Sequence, residues 1–387
     1  MDYELIGIIV FAVLLSLFLV SKRKKLAIDK IAFPLLYFIM YRTKFGLKSM
    51  DKFANRFRKP LNFVFYAGVF IGFLGMIFLA YSIITELIKL FITPTTAPGV
   101  ALVLPIKAKG IFYVPFFYWI ISIFILAIVH EFSHGVAARL HNIKLKSSGF
   151  AFLCVLIPII PAAFVEPNEK KIKKLSAMKQ LSIYAAGPLA NILLAFAILG
   201  IFLLLLVPVT NNFVQATGSE IVGITENSPA AKAGILAGET VISADNQSTL
   251  YLENFSKILE SKNPNDTLII TTDNNIYTVI LGSDAKNSSK PYIGLLAEQK
   301  SEIKHKVLPF FLPEIIVWLI GLLYWLYLLN LGIGVFNLIP IGPIDGGRML
   351  LTVLKEKFEE KRAMKIFSTI SLFFIALLLI SFMFGFF

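Results

Sequence analysis

The 387-residue sequence predicts a polytopic α-helical membrane protein, with about six transmembrane helices plus a re-entrant segment and a small α/β domain inserted after the fourth helix. Three observations predict it. Several apolar runs exceed the roughly 18 residues needed to span a bilayer. Charged residues make up only 16% of the chain, against about 25% in an average soluble protein. The net charge of +13 comes from Lys and Arg that crowd beside the apolar runs, as the positive-inside rule expects. That distribution points to a lipid bilayer as partner and away from nucleic acid. The single cysteine, Cys154, excludes an intrachain disulfide framework and any cysteine-rich metal site.

Residues 1–60 read as a first transmembrane helix, Glu4 to Val20, followed by a basic segment. The basic cluster Lys22-Arg23-Lys24-Lys25 follows the apolar run instead of preceding it, which argues for a retained span and against a signal peptide. Twelve Lys/Arg lie in residues 21–60, and Phe33 to Met40 is apolar but too short to cross, which suggests an interfacial segment. Residues 61–209 form the first part of the membrane core. Spans are expected at Phe63 to Phe91, Val114 to His141 and Leu181 to Val209, with a short extended segment at Gly99 to Pro105. Phe150 to Val165 is apolar, broken by Pro158 and Pro161, and flanked on both sides by Lys. A full crossing would put one basic flank outside, so a re-entrant hairpin or β-like loop lining a cavity is expected.

Residues 210–305 are polar, with short alternating strands such as Ile276 to Leu281. Acidic residues outnumber Lys here, which places the domain outside the cytoplasm. Asn227-Ser-Pro-Ala-Ala-Lys-Ala-Gly234, the turn at Gly238 and the following strand resemble a PDZ domain. Tyr292-Ile-Gly294-Leu295 resembles its carboxylate-binding loop, making Gly294 a candidate contact for an extended peptide or a C-terminus. Residues 306–387 complete the membrane core, with spans at Phe310 to Leu338 and Ile366 to Phe387. Between them, Asn337-Leu-Ile-Pro340-Ile-Gly-Pro343-Ile-Asp345-Gly346-Gly347-Arg348 must unwind any helix. Unwound backbone at membrane depth lines functional cavities.

The chemistry centres on His130-Glu131-Phe132-Ser133-His134, inside an apolar run whose only charge is Glu131. On a helix, His130 and His134 at i and i+4 share one face and can ligate one metal ion. Glu131 stands beside them as a general base, which is the zinc-protease arrangement. Two surface histidines and a salt-bridged glutamate would be the bland reading, but ionisable groups inside a span cost roughly 2.5–3.5 kcal/mol or more and are rarely idle. Arg139 marks the inner end of the helix, ~13 Å from His130 at 1.5 Å per residue. One catalytic Zn2+ needs a third protein ligand. Asp345 is the best placed by topology, Glu166 is the runner-up, and His141 is less favoured. Asn337 can bond the substrate carbonyl or the oxyanion. Ala186-Gly187-Pro188-Leu189-Ala190-Asn191 reads as close helix packing, with Asn191 a candidate substrate contact.

Together these residues resemble the site-2 protease family of intramembrane zinc metalloproteases, in its PDZ-containing prokaryotic form. His130-Glu131-x-x-His134, Ala186-Gly187-Pro188-x-x-Asn191, the PDZ-like insertion and Asn337-x-x-Pro340 with Asp345-Gly346 occur in the family's order. The resemblance implies that Asp345 is the third zinc ligand. It also implies that transmembrane proteins, often trimmed first by another protease, are cut within the membrane. A metal transporter would use the same buried ligands, but transporters carry internal repeats, and none is visible. A catalytically inactive PDZ-type scaffold would not need the intact ligand set.

Overall fold

The computed structural model describes residues 3–32, 36–92, 101–155, 157–206, 208, 214–284, 288–303 and 312–386. It divides into two compact units, residues 1–202 with 319–387, and residues 203–318.

The first unit holds most of the helices, long apolar ones and short ones. In chain order they are α1 (Tyr3–Lys22), α2 (Leu47–Arg56), α3 (Arg58–Ile92), α4 (Phe116–Leu140), the single turn α5 (Glu169–Ile172) and α6 (Ala177–Ile201). Among the described residues, six helices are long and apolar enough to cross a membrane. The outer faces of these helices are apolar. Phe63, Ile77 and Phe196, for example, are 76%, 66% and 56% exposed. Water would penalise such a surface and lipid does not. Helices in lipid associate through close packing more than through the hydrophobic effect. Accordingly, α3, α4 and α6 meet over small and apolar residues that include Ala137, Ala138, Ala185 and Ala186.

A four-stranded antiparallel sheet sits in the same unit, in the order β1-β2-β5-β6. Its strands are β1 (Leu26–Ala32), β2 (Leu36–Thr43), β5 (Leu145–Val155) and β6 (Ile157–Pro167). The short parallel pair β3 (Leu102–Leu104) and β4 (Ile111–Tyr113) stands apart from it. The expected re-entrant segment is therefore the β hairpin β5–β6. Of Phe33 to Met40, residues 33–35 lie outside the described residues, and the rest is strand β2, paired with β5 from Leu36↔Val155 to Thr43↔Ser148. Its partner lies more than a hundred residues along the chain, so local patterning could not reveal the pairing.

The second unit is a small α/β domain. Its elements are β7 (Val214–Ile224), α7 (Pro229–Lys232), β8 (Thr240–Ala244), β9 (Gln247–Ser248), α8 (Leu252–Glu260), β10 (Thr267–Thr272), β11 (Ile276–Ile280), β12 (Gly282–Ser283), β13 (Pro291–Tyr292) and β14 (Leu295–Ile303). The main sheet runs β11-β10-β8-β7-β14, so β14 is an edge strand. Asp245 and Asn246 turn the β8–β9 hairpin at φ 46° and 60°, a conformation that Asp and Asn tolerate. Burial pulls the Asp245 carboxyl up, but the Ile269 N–H and the Lys262 ammonium outweigh it and hold the group below the usual carboxylate range. Leu268 and Ile270 alternate inward on β10 and are fully buried. Ile270→Ala is expected to destabilise this domain by about 2–5 kcal/mol, measured as faster proteolytic nicking within residues 214–303 of the full-length chain.

The chain ends with α9 (Leu312–Phe336), α10 (Asp345–Lys357) and α11 (Glu360–Phe386). Residues 337–344 between α9 and α10 are not helical. They fold back so tightly that a Cβ on Gly346 would overlap the backbone of Leu338 and Ile339.

Candidate metal centre

Three elements converge on one point. His130 and His134 share a face of α4, and Asp345 is the first residue of α10. His130 Nε2 lies 3.0 Å from Asp345 Oδ2, His134 Nε2 lies 3.2 Å from the same oxygen, and the two Nε2 atoms are 3.1 Å apart. A tetrahedral zinc with ligand bonds of about 2.0–2.1 Å separates its ligand atoms by ~3.3 Å, so the triangle fits. The donor set, two imidazoles and a carboxylate, is that of a catalytic zinc with an open position. Asp345 does not cap its own helix: the N-cap is Ile344, with no side-chain bond. Asp345 is 8% exposed, and its carboxylate is turned onto the histidines.

The third wall is α6. At Gly187 an added Cβ would lie 2.6 Å from His130 Nε2 and closer still to His134 Nε2. Glycine is needed there because the helix backbone passes against the ligand atoms. Pro188 follows inside the same helix and removes one backbone donor, which is tolerated where neighbouring groups compensate. From α6, the Ile183 carbonyl accepts from His134 Nδ1 at 2.7 Å. That fixes the proton on Nδ1 and leaves Nε2 free to ligate.

Glu131 lies beside the triangle. Its Oε2 accepts the Val165 N–H at 2.9 Å, from the edge strand β6. A cavity of about 340 Å³ opens in front of it, lined by His130, Glu131, His134, Phe164, Val165, Tyr184, Asn337, Asp345 and Arg348 among others. Arg348 pairs with Glu169 at 3.6 Å on the cavity wall, each about half exposed, so the cavity reaches solvent along charged groups. Asn337 is half-buried in the lining, and its carbonyl accepts the Gly346 N–H at 2.8 Å. That bond ties the unwound segment to the first turn of α10.

Other candidates lie elsewhere. His141 bonds Ser182 Oγ at 2.8 Å and packs against Tyr66. Glu166 accepts from Ser147 Oγ at 2.8 Å and pairs with Arg42 at 3.5 Å. Neither lines the cavity. Asn191, expected to touch substrate, does not line the cavity either. It is 0% exposed and lies behind His130, its amide 3.3 Å from Nδ1. Gly294 sits at φ 79° in the second unit, buried at the head of β14, where its carbonyl accepts the Thr225 N–H at 2.9 Å. The sequence reading missed three contributors: the Ile183 carbonyl, the Val165 N–H and the Arg348–Glu169 pair. Backbone groups leave no trace in residue identity. Arg348, three residues after Asp345 and so on its helix face, was the one visible signal.

A profile of peptidase family M50 matches residues 118–378. An uncharacterized protein of Methanocaldococcus jannaschii is 27% identical over 318 residues, covering 80% of this chain and 75% of that protein. A protein of Clostridium acetobutylicum named as a zinc metalloprotease is 25% identical over 198 residues, covering 45% of this chain and 55% of that one. A second Methanocaldococcus jannaschii protein, named zinc metalloprotease, is 51% identical over 49 residues, 13% of this chain and 14% of its own length. Solved PDZ domains from Listeria monocytogenes and Listeria innocua are 22% and 27% identical. Each covers 21% of this chain, at 86% and 96% of their own lengths, with TM-scores of 0.19. The matched stretch spans more than half of the chain and contains both histidines of α4, Glu131 and the aspartate of α10 that meets them, so the chain belongs to peptidase family M50, the family of the site-2 proteases.

Proposed function

We propose that this multi-pass membrane metalloprotease hydrolyses peptide bonds within or near the transmembrane segments of other membrane proteins. The observation that carries the reading is the position of the ligand triangle. It is built from the interior of one apolar helix and the start of another, with the cavity beside an unwound segment and a sheet edge. His130, His134 and Asp345 would hold the zinc, which when bound polarises a carbonyl and lowers the pKa of water toward ~7.

The remaining work falls to the chain's own groups. Glu131 Oε2 is engaged by the Val165 N–H, which leaves Oε1 to take the proton from the attacking water and pass it to the leaving amine. Asn337 would donate from Nδ2 to the carbonyl oxygen as negative charge develops there. A substrate helix must unwind first, because its backbone groups are internally paired. The edge of β6 offers backbone groups beside the cavity for the unwound stretch. The domain of residues 214–303 would lie outside the cytoplasm and take an extended peptide or a C-terminus at the Gly294 loop and β14. Such a terminus would arise when another protease has already trimmed the substrate.

The test offers the purified, zinc-loaded full-length chain a panel of single-span membrane proteins in detergent and maps the cuts by mass spectrometry. Cuts within or at the border of spans, lost on chelation, are the expected result. Cuts confined to soluble loops would reject the intramembrane reading. Asn337→Ala is expected to lower single-turnover cleavage about 10²–10³-fold at unchanged zinc content. A parallel fall in zinc content would assign Asn337 to the metal site instead.

A further inference from the structure

We propose that Asn191 is a positioning residue that fixes the ring tautomer of His130, by accepting a hydrogen bond from its Nδ1–H. This rests on the metal-centre reading above and adds to it a residue outside the ligand set. A neutral imidazole carries one N–H, and only the other nitrogen has a lone pair to give. His130 Nε2 faces Asp345 Oδ2 at 3.0 Å and His134 Nε2 at 3.1 Å, so Nε2 is the ligand atom and the proton belongs on Nδ1. That proton needs an acceptor. The group that meets Nδ1 is the Asn191 amide of α6, with its Nδ2 position 3.3 Å away.

An amide can present either end, because a half-turn exchanges its oxygen and nitrogen at almost the same positions. With the nitrogen toward the ring, Nδ1 must accept, and the His130 proton is driven onto Nε2, among the other ligand atoms. The amide oxygen is then buried and finds no partner among the described residues, which is destabilising. With the oxygen toward the ring, Nδ1–H donates to Oδ1, and Nε2 is free to ligate. His134 meets the same requirement with the Ile183 carbonyl, which can only accept. The two ligands thus depend on two acceptors of one helix, one from the backbone and one from a side chain.

The side chain is held for this task. Asn191 is 0% exposed, and α9 closes on it so tightly that a Cβ on Gly334 would lie 3.0 Å from the Asn191 Cβ. A buried amide among membrane helices that served packing alone would be replaceable by an apolar residue of equal shape.

Near-isosteric replacements make the test. Zinc affinity of the full-length detergent-solubilised chain would be measured by competition with a chromophoric chelator, for the native chain, Asn191→Leu, Asn191→Asp and His130→Ala. Loss of an outer partner of a metal-bound histidine weakens binding about 10–100-fold, so that loss is expected for Asn191→Leu, whereas Asn191→Asp, which keeps an acceptor, should bind within about threefold of native or tighter. Native-like zinc affinity in Asn191→Leu overturns the proposal, and so does an equal loss in Asn191→Asp. Zinc retention by His130→Ala would overturn the metal-centre reading itself, which keeps the two failures apart. Should the leucine chain not fold, nitrogen-15 NMR of the zinc-loaded native chain decides. A slowly exchanging His130 Nδ1 proton with a cross-peak to Asn191 is expected, and its absence overturns the proposal.

Discussion

Glu131→Gln is expected to lower cleavage about 10²–10⁴-fold, or ~2.7–5.4 kcal/mol of barrier, while zinc content stays at the native level. Glutamine matches glutamate in size, and its amide oxygen can accept the Val165 N–H that Glu131 Oε2 accepts at 2.9 Å. The edge of β6 therefore stays where it is, and the cavity keeps its shape. Glu131 is not among the three atoms of the ligand triangle, so metal affinity has no reason to fall. What disappears is a group that can take a proton and return it. Mass spectrometry of the products together with metal analysis of the same sample would check both halves. A glutamine variant that cleaves at the native rate would remove Glu131 from the reaction. A variant that loses zinc together with activity would make Glu131 a ligand or a structural support. The same variant separates the competing classes, since metal transport and partner binding by a scaffold need no proton acceptor at this position.

The reach of the sequence differed between parts of the molecule for physical reasons. The helices were legible because a span must satisfy its own backbone and must be apolar over about 20 residues, which Phe63 to Phe91 states plainly. His130 and His134 were legible because helical spacing is local. Asp345 needed topology as well: it lies over two hundred residues from His134 in the chain, and only the expectation that both segments approach the same membrane face linked them. The sheet was half legible. Pro158, Pro161 and the two basic flanks argued against a spanning helix at 150–165, but nothing in Leu36–Thr43 names β5 as its partner. The environment of each ligand was the least legible part. Asn191 suggested a substrate contact because a polar group at membrane depth invites a function. Which function depends on its distance to His130, and that distance depends on how α6 crosses α4.

That crossing carries the second large effect. Gly187→Ala is expected to weaken zinc binding on the order of 10²-fold or more, beyond the usual outer-partner loss, and to abolish cleavage with it. Local helix propensity predicts the opposite sign, since alanine is favoured over glycine by about 1 kcal/mol inside a helix. Space decides the outcome. The new Cβ would stand 2.6 Å from His130 Nε2 and 2.7 Å from His130 Cε1, well inside a normal contact of roughly 3.5 Å. Either α6 withdraws or the rings turn. Withdrawal is resisted because α6 is packed into the buried core with α3 and α10, where Leu189 already lies 2.5 Å from the position a Cβ on Gly68 of α3 would take. Turning the rings carries both Nε2 atoms away from Asp345 Oδ2, which breaks the triangle. Gly200 supplies the control on the same helix: a Cβ there meets nothing within 4 Å, so Gly200→Ala should bind zinc and cleave like the native chain. Zinc titration of the two variants side by side checks the prediction. Native-like binding by Gly187→Ala would mean that α6 does not form the wall of the metal centre, and the account of how both histidines are held would fall with it.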